Sequence, residues 1–192
     1  LDAHQGIADQ DVSLIGLVLE RGRALALGIN KWDGLSSSER TAIRREIDRK
    51  LPFLDFVERH TISAKHGSNI YDLLEAAARG ADCAWRDMPT SKMTQVLTDA
   101  VTEHPPPLAG GRRIKLSYAH QGGRNPPVVV VHGNQTARLP VSYRRYLINR
   151  FRKVFRLTGT PVRLELVSSR NPYAGKRNRL TPRQVKSRQR IR

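Results

Sequence analysis

Residues 24–33 read Ala-Leu-Ala-Leu-Gly-Ile-Asn-Lys-Trp-Asp, and this stretch decides the fold of the first half of the chain. The apolar run 24–29 has the length and composition of a strand that is buried on both faces. A polar sequence follows the run directly. In open α/β sheets, ligands bind beyond the carboxyl ends of parallel strands. The stretch therefore predicts a buried parallel strand with a ligand-binding loop at its end.

The apolar spacing around this stretch predicts alternating helices and strands. Helices are predicted at residues 13–21, 36–50 and 70–78, and a second strand is predicted at residues 56–62. A strand–helix–strand–helix order implies a parallel sheet with right-handed crossovers. The fold class predicted for residues 1–80 is therefore α/β.

The spacing Asn-Lys-x-Asp at residues 30–33 fits the recognition of guanine. Guanine presents two adjacent donors, N1–H and the exocyclic amine, and the two oxygens of Asp33 can accept both at once. Adenine lacks this donor pair and would leave the carboxylate unpaired, which costs about 1–3 kcal/mol. The Asn30 amide can join neighbouring loops, and the Lys31 stem can lie along the base. Trp32 is the variable spacer.

A second loop, Ser63-Ala64-Lys65, follows the second predicted strand and resembles the Ser-Ala-Lys loop of G domains. The resemblance implies that the Ala64 N–H donates to the guanine carbonyl oxygen, that Ser63 orients Asp33, and that Lys65 covers the base. Two such loops in this order favour a guanine site over an ordinary turn. The predicted guanine-binding residues are Asn30, Lys31, Trp32, Asp33, Ser63, Ala64 and Lys65.

Two other motifs of nucleotide hydrolysis are absent from the 192 residues. No G-x-x-x-x-G-K-[ST] occurs, and no D-x-x-G precedes residue 30. These motifs supply the loop that cradles phosphates and the ligands of Mg²⁺, so we assign no catalytic residue to this chain. Because the first residue is Leu1 and not Met, we expect further sequence upstream. The predicted G domain is incomplete at its N-terminal side.

The charge of the chain is divided sharply between its two halves. Residues 1–90 hold 12 Lys and Arg against 14 Asp and Glu, whereas residues 91–192 hold 22 against 3, a net charge of +19. Two segments with such different charge predict two domains with different partners. For the basic segment we expect RNA, although a solvated basic surface is the plainer alternative.

The second half has the pattern of a small two-layer α+β domain. Its apolar spacing predicts a helix at 92–104, strands at 113–120 and 128–132, a helix at 142–157, and a strand containing Val162, Leu164 and Leu166. On the first strand, Ile114, Leu116 and Tyr118 are predicted to share one face. The order is α-β-β-α-β. We predict domains at 1–80 and 91–169, a linker at 81–90, and a basic, disordered tail at 170–192.

Long strings in both halves resemble the Der (EngA) family of bacterial proteins, which have two G domains in tandem and a KH-like domain. They cover residues 2 to about 184 and include the segments 2–7, 30–35, 53–56, 89–91, 111–116, 118–123, 125–127, 132–135, 145–147, 159–161 and 180–184. The resemblance implies the end of the second G domain followed by the KH-like domain. It further implies a GTPase that binds GTP or GDP with Mg²⁺ when intact and acts in the cytoplasm. The implied partners are precursors of the large (50S) ribosomal subunit and the N-terminal portion of the same protein.

The KH-like half departs from RNA-gripping KH domains because no G-x-x-G loop lies where they carry one. This departure favours phosphate contact or protein docking over base reading. It also argues against a GTPase of the Era kind, while a non-enzymatic RNA-binding module with a vestigial G-domain scaffold remains an alternative. The predicted RNA contacts are Arg112, Arg113, Lys115, Arg124, Arg144, Arg145, Arg152, Lys153 and Arg156, the last five on the outer side of the second helix.

Several classes of site are not expected. The six histidines have no metal-ligand spacing, and Cys83 is the single cysteine, so we predict neither a zinc site nor an internal disulfide. No apolar run approaches the roughly 18 residues that span a bilayer, so no membrane partner is expected.

Overall fold

In the computed structural model, which describes residues 1–168, the first half of the chain is built around two parallel strands. Its elements are α1 (Asp9–Glu20), β1 (Leu27–Ile29), α2 (Ser37–Lys50), β2 (Arg59–Thr61) and α3 (Ile70–Trp85). Strand β1 pairs with β2 in parallel, with Leu27 opposite Arg59 and Ile29 opposite Thr61. Asp2 adds a parallel bridge to Asn30 on the other side of β1. The predicted α/β class with a small parallel sheet is confirmed.

Local sequence signals explain where α2 begins and ends. Ser36 caps the helix, because its hydroxyl accepts from the Glu39 N–H while the Glu39 carboxylate accepts from the Ser36 N–H at 2.7 Å. Pro52 cannot continue the helix and starts a 3-10 turn at Pro52–Leu54. Ile47 and Leu54 are almost wholly buried. Strand β2 is shorter than predicted, since the turn continues through residues 55–57, where the Val57 N–H donates to the Leu54 carbonyl at 3.2 Å.

The second half is a two-layer domain. Its elements are α4 (Thr90–Glu103), β3 (Leu108–Ala109), β4 (Arg112–Arg113), β5 (Lys115–Gly123), β6 (Val128–Asn134), α5 (Val141–Phe155) and β7 (Arg163–Ser168). Strand β6 lies in the centre of a three-stranded sheet, antiparallel to β5 and parallel to β7. Helices α4 and α5 pack together, and α4 lies against β5. The predicted α-β-β-α-β order is confirmed, and the β3–β4 hairpin is an addition to it.

The core of the second half is formed by α4, α5 and one face of the sheet. Met93, Leu97, Val131, Leu147 and Phe151 are each at most 1% exposed. On α5 the spacing of four residues predicts an inward stripe of Tyr143, Leu147, Phe151 and Phe155, and the first three are buried. Two tyrosine hydroxyls of α5 join it to α4. Tyr143 donates to the carbonyl of His104, just after α4, at 2.6 Å, and Tyr146 donates to the carbonyl of Ala100 within α4 at 3.1 Å. Both hydroxyls therefore keep a hydrogen-bond partner where the helices pack.

The connection between the two halves is shorter than the linker predicted at residues 81–90. Helix α3 continues to Trp85, because Cys83 and Ala84 are buried and extend its packed face. Met88 is 3% exposed and belongs to the core of the second half. Only residues 86–89 connect the helices. The tail predicted at 170–192 lies outside the described residues.

Strand β5 does not keep the alternation that the sequence predicts. Its register against β6 shifts between Leu116 and Tyr118. Ile114 and Ala119 are consequently the buried residues, whereas Tyr118 is 42% exposed. The prediction that Tyr118 shares a face with Ile114 and Leu116 is therefore wrong, because the irregularity turns its side chain to the other side of the sheet.

The two halves are joined by backbone hydrogen bonds at Gly159. The Gly159 N–H donates to the Phe56 carbonyl at 2.8 Å, and the Gly159 carbonyl accepts from the Leu25 N–H at 2.6 Å. Residues 24–26, predicted as part of the first strand, thus pair with a loop of the second half. Gly159 has φ of +68° and lies against Gly80 of α3. A side chain here would lie 3.1 Å from both the Gly80 Cα and the Leu25 oxygen.

We expect Gly159→Ala to lower the free energy of unfolding by more than the ~1–2 kcal/mol that a left-handed backbone costs a residue with a Cβ. Gly111→Ala is the matched control, because Gly111 has φ of +73° and open space around it. The control changes only the backbone preference. Urea unfolding of both variants measures the difference, and equal effects would contradict a tight contact at Gly159.

Candidate guanine-binding site and basic surface

Two loops meet at the carboxyl ends of β1 and β2. The first begins at Asn30, passes through Lys31 in a left-handed conformation with φ of +64°, and forms a 3-10 turn at Trp32–Gly34. The second begins at Ser63 and closes on Ser68 through two backbone hydrogen bonds of 3.2 and 3.1 Å. Because the strands are parallel, both loops leave the sheet at the same edge.

The Asn30 side chain ties the two loops together. Its Oδ1 accepts from the Lys31 N–H at 2.8 Å and from the Ala64 N–H at 2.9 Å. The predicted loop-joining role of Asn30 matches this geometry. The Ala64 N–H is thus engaged by Asn30, whereas the family resemblance implied that it donates to a base. A base carbonyl placed here would share or displace this bond.

Asp33 is held as an ionised acceptor beside the second loop. A hydrogen bond from the Ser63 hydroxyl lowers the pKa of the Asp33 carboxyl, and its own backbone N–H, His66 and Lys65 lower it further. Ser63 is only 2% exposed, so its hydroxyl is fixed in place. The Nε2 atom of His66 lies 3.3 Å from Asp33 Oδ2. The arrangement leaves a carboxylate that can only accept hydrogen bonds.

These groups line a cavity of about 280 Å³. Five of the seven predicted guanine-site residues line it, together with His4 and Gly34; the five are Asn30, Lys31, Asp33, Ser63 and Lys65. Ala64 does not line the cavity, and its place in the site stays a prediction. The same holds for Trp32. Its ring packs against the core of the first half, beneath the guanidinium groups of Arg40 and Arg44 at 6.0 and 5.3 Å from the ring centre.

Sequence reasoning missed the acidic partner of Lys31. The Lys31 Nζ atom lies 2.6 Å from Asp2 Oδ2, and this contact lowers the pKa of the Asp2 carboxyl. Asp2 reaches the site because its backbone bridges to Asn30. The available signal for Asp2 and His4 was their place in segment 2–7, one of the segments that resemble the family.

The second half contains a long segment that has basic residues but no acidic ones. Residues 104–164 contain twelve Lys and Arg and no Asp or Glu. Six of the nine predicted RNA contacts are exposed, and their side chains form no ion pair or hydrogen bond within residues 1–168. These six are Arg112, Arg113, Lys115, Arg145, Lys153 and Arg156.

Three predicted RNA contacts have other partners. Arg124 forms an ion pair with Asp87. The Nε atom of Arg144 donates to the Leu139 carbonyl at 3.0 Å and holds the turn before α5. The first contact ties Arg124 to the connection between the two halves, and the second ties Arg144 to its own domain.

The third is Arg152. The sequence predicts it on the outer side of α5, but its side chain faces the first half of the chain. Its guanidinium lies 3.9 Å from the centre of the Phe56 ring and 3.6 Å from Asp55 Oδ1. Burial lowers the pKa of this guanidinium, and Asp55 partly offsets the effect. Arg152 therefore serves the domain junction.

No group of three His, Cys, Asp or Glu residues within residues 1–168 is placed to hold a metal ion. Over the same residues, no helix has the length and apolar character needed to cross a membrane.

Comparison with known proteins gives a family match in the second half of the chain. Residues 88–166 match the family described as KH-domain-like of EngA bacterial GTPase enzymes, C-terminal. Over its whole length the chain is 55% identical to GTPase Der of Thioalkalivibrio sulfidiphilus and 53% identical to GTPase Der of Methylococcus capsulatus. It spans 41% of each of these relatives.

One solved structure, of Era in complex with MgGDPNP and nucleotides 1506–1542 of 16S ribosomal RNA, overlaps 97% of this chain and 67% of that one. The overlap has 17% sequence identity and a TM-score of 0.36, and it supports no conclusion about this chain. The family match and the identities above 50% over the whole chain are the decisive findings. The chain belongs to the Der (EngA) family and corresponds to its C-terminal part, in which a KH-like domain follows the end of a G domain.

Proposed function

We propose that this chain recognises the guanine of GTP or GDP and docks on RNA, as part of a GTPase that acts in assembly of the large ribosomal subunit. The observation that carries the proposal is the network at the strand ends. Asn30 joins the two loops, and Ser63 holds the Asp33 carboxylate at the edge of the cavity. The family relationship supports the GTPase part of the proposal.

The chemistry of the cavity fits guanine. The Asp33 carboxylate is ionised and offers two acceptors to the two adjacent donors of the base. Lys31 and Lys65 line the same cavity, and their aliphatic stems can cover a flat ring while their charges stay in solvent. A base without the donor pair would leave the carboxylate unpaired.

The phosphate-binding part of the site has to come from outside these 192 residues. Mg²⁺ and a phosphate loop neutralise and position the transferred phosphoryl group in GTPases. We propose that the remaining portion of the G domain packs on α1 and α3, where large apolar side chains are exposed. Leu14 and Leu17 on α1 are 54% and 48% exposed, and Tyr71 and Leu74 on α3 are 81% and 59% exposed.

The basic surface supports docking on RNA through phosphates. The six exposed cations without a partner are free to contact phosphates, and such contacts give affinity without reading sequence. The acid-free segment 104–164 offers no internal competitor for them. The missing G-x-x-G loop agrees with contact of this kind.

We predict that the 192-residue chain alone does not hydrolyse GTP, because it lacks the groups that position phosphate and Mg²⁺. Phosphate release in steady state should equal that of buffer. Turnover above this background that follows the chain through purification would contradict the prediction.

In the complete protein, Asp33→Asn should shift base preference from guanine toward xanthine. The Asn amide can donate where the carboxylate only accepts, and xanthine has a carbonyl where guanine has its amine. Competition binding with GTP and XTP measures the shift. Asp82→Asn, at an exposed position of α3, is the control for removal of a negative charge. An unchanged preference for guanine would mean that Asp33 does not face the base.

The chain should bind RNA with a steep dependence on salt, and Arg145→Gln with Lys153→Gln should reduce the log–log slope by about 0.7–0.9 for each phosphate that is no longer neutralised. Arg21→Gln with Arg23→Gln removes the same charge from exposed positions of the first half and should leave the slope unchanged. Fluorescence anisotropy at several salt concentrations measures both. Equal effects of the two pairs would mean that net charge alone drives binding.

A further inference from the structure

Three rings cluster on the side of the β5–β6 sheet that faces away from helices α4 and α5. The Tyr118 and His132 rings are nearly parallel, with centres 4.4 Å apart and planes inclined by 5°. His120 lies 5.9 Å from Tyr118 and 5.1 Å from His132, with planes inclined by 24° and 28°. Tyr118 is 42% exposed, and Val167, paired with His132 across the sheet, is 41% exposed. An aromatic surface therefore remains uncovered on this side.

An irregularity of the β5 backbone places Tyr118 on this surface. Alternation along β5 would direct it into the core, and the register shift after Leu116 reverses its direction. The shift requires Gly133, because a Cβ there would overlap the Lys115 carbonyl oxygen and lie 3.1 Å from the Leu116 Cα. A bulge that re-aims one side chain is typical of functional sites. Cross-strand pairing alone would not require a large ring at an exposed position.

The charges near Tyr118 are positive. Lys115 lies three residues before it on β5, and the β3–β4 hairpin immediately before carries Arg112 and Arg113. All three are exposed. One acidic residue, Glu165 on β7, shares this face, and Val130 separates it in register from His120. A ligand that offers a flat ring beside a negative charge fits this combination.

We propose that Tyr118 stacks an unpaired base of single-stranded RNA while Lys115 and the Arg112–Arg113 strand hold the flanking phosphates. The inference rests on the proposed docking of the chain on RNA and names the form of RNA bound. Every base has a π-face, so stacking on an aromatic ring tolerates any sequence. It needs no G-x-x-G loop. The phenol hydroxyl is not required, since the ring face makes the contact.

The test uses the whole 192-residue chain and a short single-stranded RNA containing 2-aminopurine, whose fluorescence is quenched by stacking. Tyr118→Leu keeps the apolar bulk and removes the π-face, and it should weaken binding about tenfold and abolish the quenching. Tyr118→Phe should bind and quench as the unaltered chain does. Tyr71→Leu is the matched control, because Tyr71 is an 81% exposed tyrosine of the first half. The salt slope should not change with Tyr118→Leu, whereas Lys115→Gln should lower it.

The outcomes separate this inference from the proposed function. If the unaltered chain binds no RNA, the proposed docking on RNA fails. If it binds RNA and Tyr118→Leu binds as tightly as Tyr71→Leu, the stacking inference is overturned while docking on RNA stands. A second measurement needs no variant: the RNA should shift the ring-proton resonances of Tyr118 upfield. Unshifted resonances in the bound chain would also overturn the inference.

Discussion

The parallel pairing of β1 with β2 is the constraint on which the other features of the first half depend. It brings two loops to one edge of the sheet. The Ala64 N–H can therefore donate to Asn30 Oδ1 at 2.9 Å, although the two residues are 34 positions apart in the chain. Each strand has only three residues, and such a pair is not stable alone. Burial of Leu27 and Ile29 against α2 and its following turn holds the pair in place. The geometry of the two loops therefore depends on apolar packing below them.

The opposite ends of the same strands are completed by the second half of the chain. Gly159 donates to Phe56 and accepts from Leu25, and so connects the segments that lead into the two strands. Arg152 of α5 packs on the Phe56 ring nearby. If one strand shifted relative to the other, one of the two Gly159 hydrogen bonds would break or the loop that contains Gly159 would have to move. The KH-like domain is thus joined to the strands that end in the guanine loops, which provides a physical connection between the proposed nucleotide and RNA sites.

Local sequence patterns were sufficient for most elements and for most residues that line the cavity at the strand ends. The stripe of α5, the cap at Ser36 and the order of elements follow from spacing and capping, which depend on nearby residues only. Residues 24–26 and Arg152 were misjudged because their partners lie in the other half of the chain. Tyr118 was misjudged for a different reason. A bulge changes the period of a strand by one residue, and only the contact of Gly133 with the opposite backbone shows where it falls.

The two kinds of contact available to the second half act differently on a nucleic acid. Twelve Lys and Arg without one acidic residue in segment 104–164 repel one another in the free domain, and a polyanion relieves that repulsion. This attraction acts at a distance and weakens as salt rises. A stacked ring acts only in contact and is insensitive to salt, because no counterion is released. Cations on the surface would therefore bring RNA to the domain, whereas Tyr118 would favour RNA that has an unpaired base at the point of contact. A domain without base-edge readout can in this way distinguish the form of an RNA while remaining indifferent to its sequence.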